Sequence, residues 1–395
     1  MTARLPILVA GAGIAGLTVA LSLARRGLPV TVLERADALQ EVGAGIQIAP
    51  NASRILLELG VGDDLAAVAC RPNAVVLRSG PSGQDLARIP LGAAAERRYG
   101  TPHYVVHRGE LQALLARAVR AAGVEIRLGA AVGRVLERAD AVHVRLADDQ
   151  EELTGSALIG ADGVWSRIRR AAMGGRAPDP SGRIAWRATV PVDQVPEHLT
   201  HDIGLWFGPH AHLVHYPISS GRLVNLVAVI TDAWHEETWS GVGDPATLRA
   251  RFAEFVPLVR DLLGSAADWL RWPLMTVDPL SAAWNRGRIA LIGDAAHAML
   301  PFAAQGGGAA IEDAAVLADQ MAATSDIAAA FSTYVHLRRP RVHKIWRLAE
   351  DNVRIFHMHG LMAFARDSVL KISSSEALMS RQDWLYGWQR ENVSA

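Results

Sequence analysis

The chain has 395 residues, half of them hydrophobic and a fifth charged, with 40 Lys plus Arg against 40 Asp plus Glu. This describes a packed protein with two or three domain-sized cores, and it argues against disorder, a basic nucleic-acid-binding surface or an acidic interaction tail. The single cysteine, Cys70, excludes an intrachain disulfide framework and a Cys-based metal site, and it suits a reducing cytoplasm.

The first elements read as strand (Leu5–Ala10), turn, helix (about Ile14–Arg26) and strand (Val30–Glu34), a βαβ unit. No charge falls between Arg4 and Arg25, which imitates a signal peptide or a membrane helix. Gly11, Gly13 and Gly16 break that run into a strand and a tight turn, so no membrane segment is expected. Gly11-Ala12-Gly13-Ile14-Ala15-Gly16 is GxGxxG in the right context. Its backbone, Ala15 included, can approach a pyrophosphate at a helix N-terminus. Glu34 lies 18 residues past Gly16, where a carboxylate can accept ribose hydroxyls. Arg35 beside it would suit a 2′-phosphate, so NAD, NADP and FAD all remain open at this point. The bland alternative is a packing turn with no ligand.

Two later apolar runs read as strands of the same sheet: Ala157–Gly160 before Asp162, and Arg288–Ile292 before Gly293 and Asp294. Ligands of open parallel sheets bind beyond the carboxyl ends of strands, so three such ends can converge on one cofactor. Between them, residues 183–190, 203–207, 210–216 and 223–230 are short β-like runs that suit an inserted antiparallel sheet. Past residue 308 the pattern turns helical, Ala309–Ala322 and then roughly Ile327–Phe364. The basic run Arg338, Arg339, Arg341, Lys344 and Arg347 reads as a solvated helix face.

Five histidines fall between residues 198 and 215. Strand alternation puts His210 and His212 on one face and His215 on the other, so no metal site is expected. His215 is then either a buried histidine satisfied by backbone or a base, since imidazole titrates near neutrality. Trp186 and Trp206 could line an aromatic pocket.

In this order, GxGxxG, Asp162-Gly163-Val164-Trp165-Ser166-Arg167-Ile168-Arg169 and Gly293-Asp294-Ala295-Ala296-His297 resemble the flavoprotein aromatic hydroxylase family over nearly the whole chain. The resemblance implies tightly bound, non-covalent FAD and NAD(P)H as a transient co-substrate. Asp294 would hold ribitol hydroxyls, Asp162 and Arg169 would brace the cofactor region, and Arg108 would meet the FAD phosphates. His297 is read as structural. Pro301 and Gln305-Gly306-Gly307-Gly308 lead into a helix whose N-terminus would favour negative charge on reduced flavin. Where the family often has Gly-Gln-Gly-x-Asn, this chain has Ala304 and Gly308, as the salicylate and 3-hydroxybenzoate hydroxylases tolerate. Gly43-Ala44-Gly45-Ile46-Gln47, Trp186-Arg187 and Asp383-Trp384-Leu385-Tyr386 resemble the same branch. Gly45 and Ile46 would flank the flavin ring. Gln47, Trp206, His215 and Pro301 would meet the substrate, with His215 removing its phenol proton.

The fold implied is α/β: a Rossmann-like FAD-binding domain with an inserted antiparallel β substrate domain and C-terminal helices. The expected division gives 1–72, 104–178 and 280–325 to FAD, 73–103 and 179–279 to substrate, and 326–395 to the helical end. The implied reaction is hydroxylation of a phenolic aromatic acid with NAD(P)H and O2 through a flavin C4a-hydroperoxide, by a monomer or homodimer. The alternatives are a same-fold epoxidase or other oxidoreductase acting on a non-phenolic substrate, and a flavin-binding protein without turnover.

Overall fold

The computed structural model describes residues 4–39, 44–147, 151–234 and 240–390; Gly43 lies outside them. Strand β1 (Ile7–Ala10), helix α1 (Ile14–Ala24) and strand β2 (Val30–Leu33) form the opening βαβ unit. β3 (Gly45–Ile48) pairs antiparallel with β4 (Tyr104–His107), which runs into α2 (Arg108–Ala121) and β5 (Glu125–Arg127). β6 (Ala157–Gly160) is followed by α3 (Arg167–Met173). The long β7 (Asp179–Pro191), β8 (Ile203–Gly208), β9 (Ala211–Ile218), β10 (Leu223–Thr231) and β11 (Trp269–Thr276) belong to a second sheet. β12 (Ile289–Leu291) returns to the first sheet, and α4 (Gly306–Ala323), α5 (Ile327–Phe356) and α6 (Gly360–Ile372) follow.

In the first sheet β1 lies between β2 and β6, and β6 pairs in turn with β12, all parallel. β1 and β6 are buried at every position, as strands covered on both faces must be, and this explains their unbroken apolar sequence. The carboxyl ends Leu33, Ala10, Gly160 and Leu291 therefore sit side by side along one edge.

The second sheet has eight strands, with β7, β10, β9 and β8 adjacent in that order. On β9, Ala211 and Leu213 point into a core with Trp206, Phe252 and Leu262. His212, Val214 and Tyr216 alternate to the other face, toward the dinucleotide sheet. Among the described residues no helix is long and apolar enough to cross a membrane.

Two expectations for the C-terminal region fail. The helix foreseen to Phe364 stops at Phe356, and a separate one starts at Gly360, whose φ of +58° departs from the right-handed helical path. The basic run on α5 is not wholly solvated. Arg338 is 1% exposed and lies 2.6 Å from Glu312 and 2.8 Å from Asp313 of α4, and Arg341 Nε lies 2.7 Å from Glu312. The cause is packing of α5 on α4. Two fully buried carboxylates need counter-charges, and α5 supplies them.

Candidate active site

A cavity of about 300 Å³ opens between the carboxyl edge of the first sheet and the free face of the second. Gly13, Ile14 and Ala15 line one end, at the start of α1. Ala161, Gly163 and Asp294 border it from the ends of β6 and β12, and Arg108 from the start of α2. Gly45, Ile46 and Gln47 of β3 face Pro301, Gly306 and Gly307 before and at the start of α4. The second sheet contributes Arg187, His212, Val214, Tyr216, Val227 and Val229.

The turn after β1 is built for close approach. Gly11 has φ +107°, and a Cβ there would lie 2.4 Å from the Ala161 carbonyl oxygen. A Cβ at Gly16 would lie 1.9 Å from the Gly11 carbonyl oxygen. Glu34 is fixed just past β2, its carboxylate accepting from Ala12 N at 2.7 Å and Ala36 N at 3.0 Å, with Arg35 exposed beside it. Gly45 packs for a different reason: its missing Cβ would sit 2.4 Å from the Tyr216 ring. Asp294 is exposed to the cavity. Asp162 turns toward α3, where one oxygen accepts from Arg167 N and Ile168 N at 2.8 and 3.3 Å. Arg169, 1% exposed, donates to Val164 O at 2.7 Å and Ala295 O at 2.9 Å, tying together the loops after β6 and β12. His297 is buried and lies 2.5 Å from Asp313.

These residues fit FAD. Both α1 and α4 begin at the cavity with no side-chain cap and no acid in their first turns. Their N–H groups and positive dipole ends are left for phosphate and for the anionic edge of a flavin. Arg108 adds a guanidinium, and Asp294 and Glu34 offer acceptors for hydroxyls.

The far wall has other chemistry. Burial, with Arg108 adding to it and Tyr216 opposing, lowers the Arg187 guanidinium to about 10. Among the described residues its Nε has no hydrogen-bond partner, and its guanidinium lies over the Trp272 ring at 4.6 Å. Burial raises the Tyr216 phenol above its ordinary range. Burial also pushes His212 well below the usual imidazole range, and nearby His357 and Arg183 push it the same way. The Nδ1 of His212 lies 2.9 Å from His357 Nε2, which leaves Nε2 for a ligand in the cavity.

His215 and Trp206 do not line this cavity. His215 is fully buried on the opposite face of β9, its ring 6.3 Å from that of Trp206, which in turn lies under Arg78. Burial lowers His215 to about 3. Trp186 also packs into the core behind the sheet. Alternation separates His212 from His215 in sequence, but which face meets the cofactor is fixed by what packs behind the sheet. Sequence reasoning therefore missed His212, Arg187 and Tyr216 as cavity groups. Two of them carried a usable signal, since Trp186-Arg187 and His215-Tyr216-Pro217 hold them beside residues already singled out.

The family model described as an FAD binding domain matches residues 4–349. The chain is 39% identical to a 3-amino-4-hydroxybenzoate 2-monooxygenase of Streptomyces platensis, covering 100% of this chain and 98% of that one. It is 36% identical to 3-hydroxybenzoate 6-hydroxylase 1 of Aquipseudomonas alcaligenes, covering 96% and 97%. Among solved structures, HpxO of Klebsiella pneumoniae, complexed with FAD and uric acid, superposes with a TM-score of 0.84 at 29% identity, covering 95% of each chain. This chain belongs to that FAD-binding family, that of the flavoprotein aromatic hydroxylases its three motifs resemble.

Proposed function

We propose that this FAD-dependent monooxygenase hydroxylates a phenolic aromatic acid, with Arg187 receiving the carboxylate and His212 the phenol proton. The observation that carries the reading is Arg187, a half-buried guanidinium in the cavity wall whose buried Nε is unpaired among the described residues. A cation taken out of water needs a partner, and an aromatic carboxylate on the substrate supplies one. Val214, Val227 and Val229 give an apolar bed for a ring. Removing the phenol proton makes the ring a better nucleophile, and His212 Nε2 is placed to accept it. Tyr216, kept protonated by burial, would offer its hydroxyl to the substrate as a donor. Gln47 and Pro301 close the pocket near the flavin side. His215 is reassigned to the core behind the sheet.

On this reading Gly11, Gly13, Ala15, Gly16, Glu34, Arg35, Gly45, Ile46, Arg108, Asp162, Asp294, Gly306 and Gly307 form the FAD environment. Most line the cavity, and Gly11, Gly16, Glu34 and Asp162 shape the turns around it. Bound FAD supplies the transfer of electrons from NAD(P)H to O2 and of one oxygen atom to the ring. The two relatives named above act on hydroxybenzoates, and substrates of that class carry the carboxylate that Arg187 would receive and the phenol that His212 would deprotonate.

The test is to load the purified protein with FAD and assay 3-hydroxybenzoate, salicylate and 3-amino-4-hydroxybenzoate with NADH and NADPH. One hydroxylated product per nicotinamide oxidised is expected with at least one of them. Peroxide as the sole product with every phenolic acid would overturn the reading. For His212, H212N should lower hydroxylation on the order of a hundredfold at pH 7 and recover as the substrate phenol ionises unaided at higher pH.

A further inference from the structure

We propose that Trp272 is a positioning residue for Arg187, and that its ring face holds the guanidinium ready for a substrate carboxylate without neutralising it. The proposal rests on the reading of Arg187 as the group that receives that carboxylate. Trp272 lies on β11 and does not itself border the cavity. Its effect on a ligand would pass through Arg187.

The register of the second sheet brings the two side chains together. Ala185 of β7 lies opposite Val229 of β10 and Trp272 of β11, and Val229 lies opposite His212 of β9. Further along β7, Arg187 lies opposite Val227 and Leu270. His212, Val229, Val227 and Arg187 all line the cavity, so Trp272 shares their face of the sheet. Arg187 and Trp272 are diagonal neighbours, a spacing that long and aromatic side chains span. The guanidinium carbon lies 4.6 Å from the ring centroid. The ring is anchored in turn, packed against the cluster of Ala185, Val229, Leu274, Leu300 and Phe302.

The choice of partner decides what Arg187 can do. A carboxylate beside it would fill the guanidinium fork and cancel its charge, leaving neither for a ligand. An indole does neither. Its π face attracts a cation, and the group has no acceptor to occupy an N–H. The titratable groups that act on Arg187 are Arg108, a like charge, and Tyr216, which burial keeps protonated. Attraction to the Trp272 ring therefore offsets part of the cost of keeping a cation in this wall, while Nε–H stays unpaired among the described residues. The contact also confines a long, flexible side chain before the ligand arrives, so less freedom is lost when a carboxylate docks.

The experiment titrates oxidised holoenzyme with 3-hydroxybenzoate and with 3-hydroxybenzyl alcohol, without nicotinamide, and reads Kd from the flavin absorbance. W272L should raise Kd for the acid about fivefold and leave Kd for the alcohol within about twofold. W272F keeps a ring face and should recover most of the loss. In R187M, adding W272L should weaken the acid no further. A second variant carries 5,7-difluorotryptophan at position 272, inserted by codon suppression, which keeps the indole shape and draws charge from its face. It should weaken the acid about twofold in the parent and not at all in R187M. Should W272L fail to retain FAD, the fluorinated protein decides alone. Equal weakening of the acid in the parent and in R187M overturns the proposal, because Trp272 would then act on the pocket rather than through Arg187. An acid Kd unmoved by the fluorinated ring overturns it too, and leaves Trp272 as packing. R187M binding the acid as tightly as the parent overturns the carboxylate assignment itself.

Discussion

The Arg187→Met variant tests the substrate class most directly. Arg187 falls from 12.5 to about 10, chiefly through burial. That difference corresponds to about 3 kcal/mol of stabilisation withheld from the charged form. A docked carboxylate offsets it, so up to about 3 kcal/mol is available to discriminate an aromatic acid from its neutral analogue, roughly a hundredfold in affinity. R187M keeps an unbranched apolar stem and loses the guanidinium with its charge. With a productive acid such as 3-hydroxybenzoate, KM should rise about 30- to 100-fold, while KM for 3-hydroxybenzyl alcohol should change by less than about threefold. Lysine at the same position should fall between, because it keeps the charge and loses the fork. Steady-state NADH oxidation with product analysis reads these values, and benzoate binding followed by flavin absorbance separates affinity from turnover. The thermal midpoint of R187M should be no lower than that of the parent, since a buried charge kept for a ligand does not serve the fold. Equal weakening toward acid and alcohol, or no weakening toward the acid, refutes the assignment.

Three further outcomes are expected. R338L strips a partner from both Glu312 and Asp313, while Arg341 and His297 remain. Breaking such a buried pair costs about 3 kcal/mol, and urea unfolding of the FAD-loaded protein should show a loss of that order. H215F should leave hydroxylation per folded molecule within about twofold, measured at saturating substrate; a loss as large as that of H212N would restore His215 to the site. Stability should fall as pH drops from 6.5 toward 4. His103 and His357 are lowered to about 4 and His215 to about 3, so the unfolded chain takes up protons there and the folded one does not. Each such group contributes a slope of up to about 1.4 kcal/mol per pH unit, and a flat melting temperature between pH 6.5 and 4.5 would contradict this.

The dinucleotide edge was legible because its signals are local. The glycines of the first turn answer to contacts with residues nearby in space, and strand, turn and helix read in sequence order. The three strand ends could be matched from sequence because each closes on a Gly or Asp. The substrate wall was not legible in the same way. Period-two alternation divides His212 from His215, but only the core of Phe252 and Leu262 behind the sheet decides which of them meets the cofactor. Arg338 misled for a related reason. A run of arginines on a helix reads as solvent-facing unless buried acids on another helix are known, and Glu312 and Asp313 sit in a segment whose apolar pattern had no evident need of them. The break after Phe356 was hidden because residues 357–364 carry no proline and continue a helical composition.

The neighbouring strands of the first sheet come from residues 30–33, 7–10, 157–160 and 289–291, so its pairings span most of the chain. Such non-local pairing is slow to form, because chain closure must precede the contacts that reward it. A chain growing on the ribosome can make the β1–β2 unit early, but it holds no complete dinucleotide edge until residues 289–310 have emerged. FAD cannot act as an early template under those conditions. It can only select, by mass action, chains that have already closed the sheet. Flavin supply during expression should therefore govern how much protein survives, and leave the order in which it folds unchanged.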